Sequence, residues 1–432
     1  MIQGASFNVL DYGADSTGLT ASTQAFQNAI NAAATNSGSV YVPAGTYVLA
    51  AVNLKSNVMV YGQGWSSILK LASNSKNTCI LQTDNLSLVQ NVIISNLQFD
   101  GNLIGTYPGG VNTDSNNAHA IDLENVQNVI VENCYIHDTI DDGVQVYQGY
   151  DVIIQNNLMK TIGRNGVSAT WGARINVSNN IIEGFNTVGI DIEQEQNILR
   201  DVVVTGNYIE PNYTRVNTFN SNRLYGISVN NASATFNDQN YCNVVVANNT
   251  IKGKLCDDAA YHPNAGIYAY YFRNLSITGN TVTSCVDGIS SQGSTTVPSG
   301  ISITANTVEY CQGIGVKLNC GDVANGNTAY NNGCGFWVYR SYCTLSGNFA
   351  LNNGQYSYTN PYGIYIDGST NSIFSNNICT DTQVSKTQTY GVYCKPAGGQ
   401  DYNIYTGNNF KGNAIGSTSL VGSNNVVANN IT

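Results

Sequence analysis

The chain has 432 residues, a formal net charge of −10 and only 10% charged residues, with 43 glycines and 28 tyrosines. This balance argues against nucleic acid or an anionic membrane surface as its partner, because both reward clustered Lys and Arg. No apolar run approaches the roughly 20 residues of a membrane-spanning helix, so no membrane insertion is expected.

In chain order, residues 1–55 read as an N-terminal cap. Phe7-Asn8-Val9-Leu10-Asp11-Tyr12-Gly13-Ala14-Asp15 opens the segment, a helix is predicted from about Ser22 to Ala34, and Gly38 to Tyr47 is strand-like. Ser22 is the expected N-cap, and Ala25, Phe26, Ala29, Ile30 and Ala33 form one apolar stripe at helical spacing. Such a helix covers the end of a solenoid, where unpaired backbone groups and an open core need protection.

Residues 56–432 read as repeated coils, giving one elongated domain overall. An asparagine recurs as Asn157, Asn180, Asn207, Asn249, Asn280, Asn306, Asn327, Asn348, Asn377, Asn408 and Asn430, each time after a short segment rich in Val or Ile. A period of this length, with side chains alternating inward and outward, indicates stacked β-coils. Neighbouring coils lie about 4.8 Å apart, so stacked inward amides can bond from coil to coil. A second register runs Gly143-Val144, Gly166-Val167, Gly189-Ile190, Gly226-Ile227, Gly266-Ile267 and on to Gly391-Val392. The 11 cysteines form no compact framework and no Cys-x-x-Cys pair, so they read as small core residues, with Cys134 in the ladder position of Asn157.

The segment from residue 7 to about 50 resembles the N-terminal signature of the pectate-lyase-like superfamily of right-handed parallel β-helices. That superfamily includes polysaccharide lyases, glycoside hydrolases, C5-epimerases and phage tailspike depolymerases. The resemblance implies an all-β fold, a single-stranded right-handed parallel β-helix with a capping helix, and a polysaccharide as partner. One scaffold hosts several chemistries, so it does not choose among them. The chain lacks both the paired Asn-Thr-Asp and Gly-His-Gly motifs of polygalacturonases and the Tyr-Gly-Phe-Asp-Pro-His run of alginate epimerases.

Alignment on the glycine register gathers the acids. His119, Asp122 and Glu124 fall one coil before Gln145 and Tyr147, while Asp141 and Asp142, then Arg164, then Asp191 and Glu193 follow on consecutive coils. Asp141, Asp142, Arg164, Asp191 and Glu193 are the expected catalytic group. Carboxylates two coils apart have backbones about 9–10 Å apart, and their side chains can reach the ~5–9.5 Å separation of glycosidase acid pairs. Arg164 reads as holding a substrate carboxylate or sulfate, or as keeping one carboxylate ionised. The structural alternatives are a turn at Asp141-Asp142-Gly143 and a plain ion pair for Arg164. His137 and His262 read as turn residues.

Further along, Tyr225, Tyr268, Tyr270, Lys317, Trp337 and Tyr339 recur at outward strand positions, where flat rings can receive sugar faces. With His119, Asp122 and Tyr147 they are the expected substrate-binding residues. The reading is glycoside hydrolysis of an extended polysaccharide without a cofactor. A lyase or C5-epimerase acting on a uronate polymer is the close alternative, with calcium if it is a lyase, and a non-catalytic glycan-binding or virion β-helix is another. Met1-Ile2-Gln3-Gly4 opens no signal peptide, so either a signal has been removed or the protein leaves the cell by another route; it is expected outside the cell, secreted or on a virus particle, as a monomer or homotrimer.

Overall fold

Short β-branched segments separated by left-handed turns favour strands over helices, and the computed structural model of the chain consists almost wholly of parallel strand pairs. It describes residues 4–84, 86–112, 117–194, 199–211, 224–231, 243–253, 264–294, 297–356, 360–396 and 399–432. Its contacts fall into two units, residues 1–224 and 225–432. The fold is a right-handed parallel β-helix, the hand that parallel strand crossovers take.

In the first unit, each coil contributes strands to three faces, and each face stacks an apolar column. Ile121, Val144, Val167 and Ile190 align on the first. Val131, Ile154, Val177 and Val204 align on the second. Ile136, Met159, Ile182 and Ile209 align on the third. All twelve are fully buried, and each burial stabilises the fold by about 1.5–3 kcal/mol. The helix Thr23–Thr35 buries the predicted stripe of Ala25, Phe26, Ala29, Ile30 and Ala33. Ser22 does not cap it with its side chain. Its hydroxyl instead accepts the Asp15 N–H at 2.9 Å, tying the helix entry to the preceding loop.

The asparagine ladder is present in both units. In the first, the Asn157 backbone N–H and Nδ2 both donate to Asn180 Oδ1 at 3.0 Å, and Nδ2 also donates to the Val131 carbonyl. Asn180 repeats this toward Asn207. Cys134 starts the ladder, donating its N–H to Asn157 Oδ1. In the second unit, the ladder runs from Asn249 to Asn430 with amide–amide distances of 2.9–3.0 Å. The sequence reading missed a second ladder there. Cys311, Asn332 and Asn353 donate backbone N–H groups to Asn332, Asn353 and Gln388, respectively.

The residue before each ladder asparagine adopts a left-handed conformation and is Asn or Gly, except Ala305 with φ 54°. An exposed alanine there carries about 1 kcal/mol of backbone strain. Ala305→Asn should raise the thermal midpoint, and a lower midpoint would remove this account. The glycine register has its own cause. A Cβ at Gly143 would lie 2.6 Å from the Gly166 carbonyl oxygen, and one at Gly335 would lie 2.4 Å from that of Gly363.

Candidate active site

The strand register confirms the column inferred by counting: Asp122 pairs with Gln145, Gln145 with Ser168, and Ser168 with Asp191. His119 precedes the strand Ile121–Glu132, Asp141 and Asp142 precede Val144–Gln155, and Arg164 precedes Asn165–Ala169. Successive coils therefore bring these four side chains together.

Asp142 is fully buried, and its carboxylate is saturated. Arg164 Nε donates to Oδ1 at 2.7 Å, Arg164 Nη2 donates to Oδ2 at 2.5 Å, and the Asn165 N–H donates to Oδ1 at 2.9 Å. Arg164 Nε also lies 3.0 Å from Asp141 Oδ1. His119 Nδ1 accepts the Asp142 backbone N–H at 3.2 Å, which places the imidazole proton on Nε2. That ring is 3.7 Å from Asp141 and 3.6 Å from Asp142. Asp141 Oδ2 is buried without a hydrogen-bond partner.

These contacts drive neighbouring acids apart. Burial, then the Asp142 charge, raises Asp141 well above the ordinary carboxylate range, with Arg164 only partly opposing. Burial also works against the Asp142 charge, but the Arg164 charge and hydrogen bonds outweigh it and hold Asp142 ionised. Burial lowers His119 to about 4, so it is neutral near neutral pH. Burial, then the Glu124 charge, raises Asp122 to about 7.

Folded Asp122 thus binds its proton more tightly than the unfolded chain does. Its contribution to stability is full below the ordinary value of 3.8 and is lost as pH rises through about 7. Asp122→Asn should leave the thermal midpoint unchanged at about pH 4 and raise it by about 2–4 °C at about pH 8. An equal shift at both pH values would show that the group stays ionised in the fold.

Several placements differ from the sequence reading. His119 was expected on an open polar strip but is 1% exposed, with its ring within 3.7 Å of Asp141 and 3.6 Å of Asp142. Asp191, expected at an outward position, is only 7% exposed. Its charge is felt by Arg164, and Glu193, two residues on, is half-buried. His137 lies on the strand Tyr135–His137, stacked on Tyr135, rather than in a turn; His262 lies outside the described residues. Sequence reasoning missed Cys79, whose thiol is 3.7 Å from Asp122 Oδ2. Leu81 pairs with Ile121, so counting two residues back from each aligns Cys79 with His119. It also missed Trp171, which packs edge-on against Tyr147 at 5.4 Å. An Asn-Thr-Asp run does occur at Asn112-Thr113-Asp114, without its Gly-His-Gly companion; Thr113 and Asp114 lie outside the described residues.

Among the described residues, two carboxylate–histidine groups have donor atoms close enough to share a cation, namely His119 with Asp141 and Asp142, and Asp100 with His137 and Asp138. Calcium takes six to eight oxygen ligands. The first group supplies one ionised carboxylate, Asp142, and one acid that burial keeps protonated, Asp141, both against a guanidinium whose fixed charge opposes a second cation. In the second, Lys70 pairs with Asp100 at 2.8 Å and His137 Nδ1 with Asp138 at 2.9 Å. Neither donor set fits calcium.

The remaining expected binding residues belong to the second unit. Tyr225 stacks on Tyr268 with centroids 4.5 Å apart, and Tyr268 on Tyr270 at 5.9 Å. Trp337 packs against Tyr339 at 6.0 Å and Tyr365 at 5.6 Å. Lys317 Nζ stands 5.1 Å from the Trp337 centroid and 4.7 Å from that of Tyr339.

Comparison with known proteins finds similarity to parallel β-helix proteins. Residues 6–209 match the family model "Rhamnogalacturonase A/epimerase, pectate lyase-like", and residues 247–432 match "Periplasmic copper-binding protein (NosD)". Alginate lyase 7 of Azotobacter vinelandii is 28% identical over 195 residues, covering 37% of this chain and 23% of the relative. Mannuronan C5-epimerase AlgE5 of the same organism is 26% identical over 224 residues, covering 44% and 22%. The matched parts thus span under a quarter of these curated relatives. The A-module of mannuronan C-5 epimerase AlgE4 from A. vinelandii superposes with TM-score 0.53 at 16% identity, covering 98% of this chain and 100% of that one. PfbA, a surface adhesin of Streptococcus pneumoniae, superposes with TM-score 0.55 at 14% identity, covering 91% and 93%. At such identities the two structures establish the shared fold alone.

Proposed function

We propose that this chain, a parallel β-helix of the pectate-lyase-like superfamily, is an enzyme that hydrolyses an extended polysaccharide with Asp141 as proton donor. One observation carries the reading: Arg164 clamps both oxygens of buried Asp142, while adjacent Asp141 keeps a buried Oδ2 with no hydrogen-bond partner, so burial and the Asp142 charge favour its protonated form. Asp141 gives its proton to the glycosidic oxygen as the bond from that oxygen to the anomeric carbon breaks. Asp191, two coils along the same face, takes a proton from water as the water oxygen bonds to that carbon. Asp142, Arg164 and His119 are positioning residues that fix Asp141, and Glu193 borders the same strand end. The polymer lies outside the cytoplasm in this proposal, with the protein secreted or carried on a virus particle.

A second reading, elimination or C5-epimerisation of a uronate polymer, is favoured by the names of the curated relatives and by Arg164. Its Nε and Nη2 are engaged, while no hydrogen bond among the described residues takes up Nη1, leaving that donor for a substrate carboxylate. The test follows reducing ends, ultraviolet absorbance and proton NMR over a panel of neutral, uronate and sulfated polysaccharides. New reducing ends without absorbance support hydrolysis. Rising absorbance establishes elimination, and an altered uronate pattern without shortening establishes epimerisation. No change on any polymer would replace the enzyme reading with a glycan-binding one.

A further inference from the structure

The second unit holds two cations against one aromatic ring. Lys317 Nζ lies 4.7 Å from the Tyr339 centroid, and Arg340 Cζ lies 4.5 Å from it. Among the described residues, neither cation forms an ion pair, and Lys317 Nζ donates no hydrogen bond. The Arg340 guanidinium spends Nη1 on the Tyr339 carbonyl at 2.8 Å and leaves Nε without an acceptor. The Trp337 indole N–H beside them also lacks one. Asp287 attracts Lys317 electrostatically, but its Oδ1 is engaged by the Ile314 N–H at 2.9 Å.

Among the described residues, three donors, Lys317 Nζ, Arg340 Nε and the Trp337 indole N–H, thus stand without an acceptor around half-buried rings, in a chain whose net charge is −10. Holding a half-buried ammonium beside a second cation is costly unless an anion completes the cluster. Burial, and the charge of Arg340, weaken the hold of Lys317 on its proton, as expected for a cation lacking its counter-ion. The neighbouring surface is aromatic: Tyr362 and Tyr393 stack at 4.3 Å and both stay half-buried, while Tyr365 packs beneath them at 7% exposure.

We infer that Lys317, Arg340, Trp337 and Tyr339 form a binding site for an acidic saccharide, distinct from the catalytic acids. Its carboxylate or sulfate seats against Lys317 and Arg340, and a sugar face lies on the aromatic rings. The inference goes beyond the hydrolase reading and does not depend on it, since binding here requires no bond cleavage.

The test uses the full chain with Trp65→Phe and Trp171→Phe, leaving Trp337 as the only indole of three. Its fluorescence is titrated with an oligomannuronate, a sulfated carrageenan oligosaccharide and a neutral cello-oligosaccharide. Expected is a saturable, salt-weakened change with an acidic probe, and the responding probe separates carboxylate from sulfate recognition. Lys317→Gln should weaken binding at least tenfold at an unchanged thermal midpoint. Lys317→Arg should restore it, and Asp141→Asn should leave it intact. If Lys317→Gln fails to fold, Arg340→Gln must show the same loss. A neutral probe binding as tightly, no response to either acidic probe, or full binding by the glutamine variants would overturn the site.

Discussion

For the proposed hydrolase, Asp141→Asn is expected to lower kcat by about 10²–10⁴-fold on its polysaccharide substrate, with little change in KM. Asparagine keeps the shape of the carboxyl and its place beside Arg164, but it has no proton to give to a leaving oxygen. The fold should tolerate the change, because burial already holds Asp141 protonated and a neutral amide removes no ion pair that stabilises the structure. Wild-type activity should fall as pH rises through the raised pKa of Asp141, and the variant should lack that limb. Kinetics across pH, with thermal midpoints alongside, check the point. Unaltered turnover would remove Asp141 from the chemistry and leave the dyad as a structural ion pair with Arg164.

Asn306→Ala should produce the largest loss of stability. Asn306 Oδ1 accepts both the backbone N–H and Nδ2 of Asn280, and its Nδ2 donates to the Ile277 carbonyl and to Asn327 Oδ1. Alanine strands two buried donors on Asn280 and removes a donor from two acceptors. Each buried group left unsatisfied costs about 1–3 kcal/mol, so a loss of about 3 kcal/mol or more is expected. That is a fall in thermal midpoint on the order of 10 °C. A fall below about 2 °C would mean that the coil relaxes or admits water, and that the ladder sets register rather than stability.

Much of this arrangement was legible in the sequence because the repeat converts spacing into neighbourhood. Counting from glycine to glycine aligned Asp122, Gln145, Ser168 and Asp191 as the strands do, and helical spacing gave the buried stripe of the cap. What spacing could not give was depth. Asp142 and His119 stand in the connections just before strands, where a one-residue change of backbone direction separates solvent from interior, and both proved buried. The second ladder escaped notice because its members change type, from Cys311 through Asn332 and Asn353 to Gln388, while only hydrogen-bond geometry stays fixed. Likewise Cys79 looked like any core cysteine until pairing set it beside Asp122.

The first ladder separates two quantities that most folds keep tied together. Twenty-one residues separate Asn306 from Asn327 and 31 separate Asn377 from Asn408, yet the amide contacts are 2.9 Å in both. Excursion length is thus a free variable, while axial position is quantised by the coil. Loops bordering the proposed catalytic face can be lengthened, shortened or exchanged to suit a different polymer, and the acids of that face will keep their spacing.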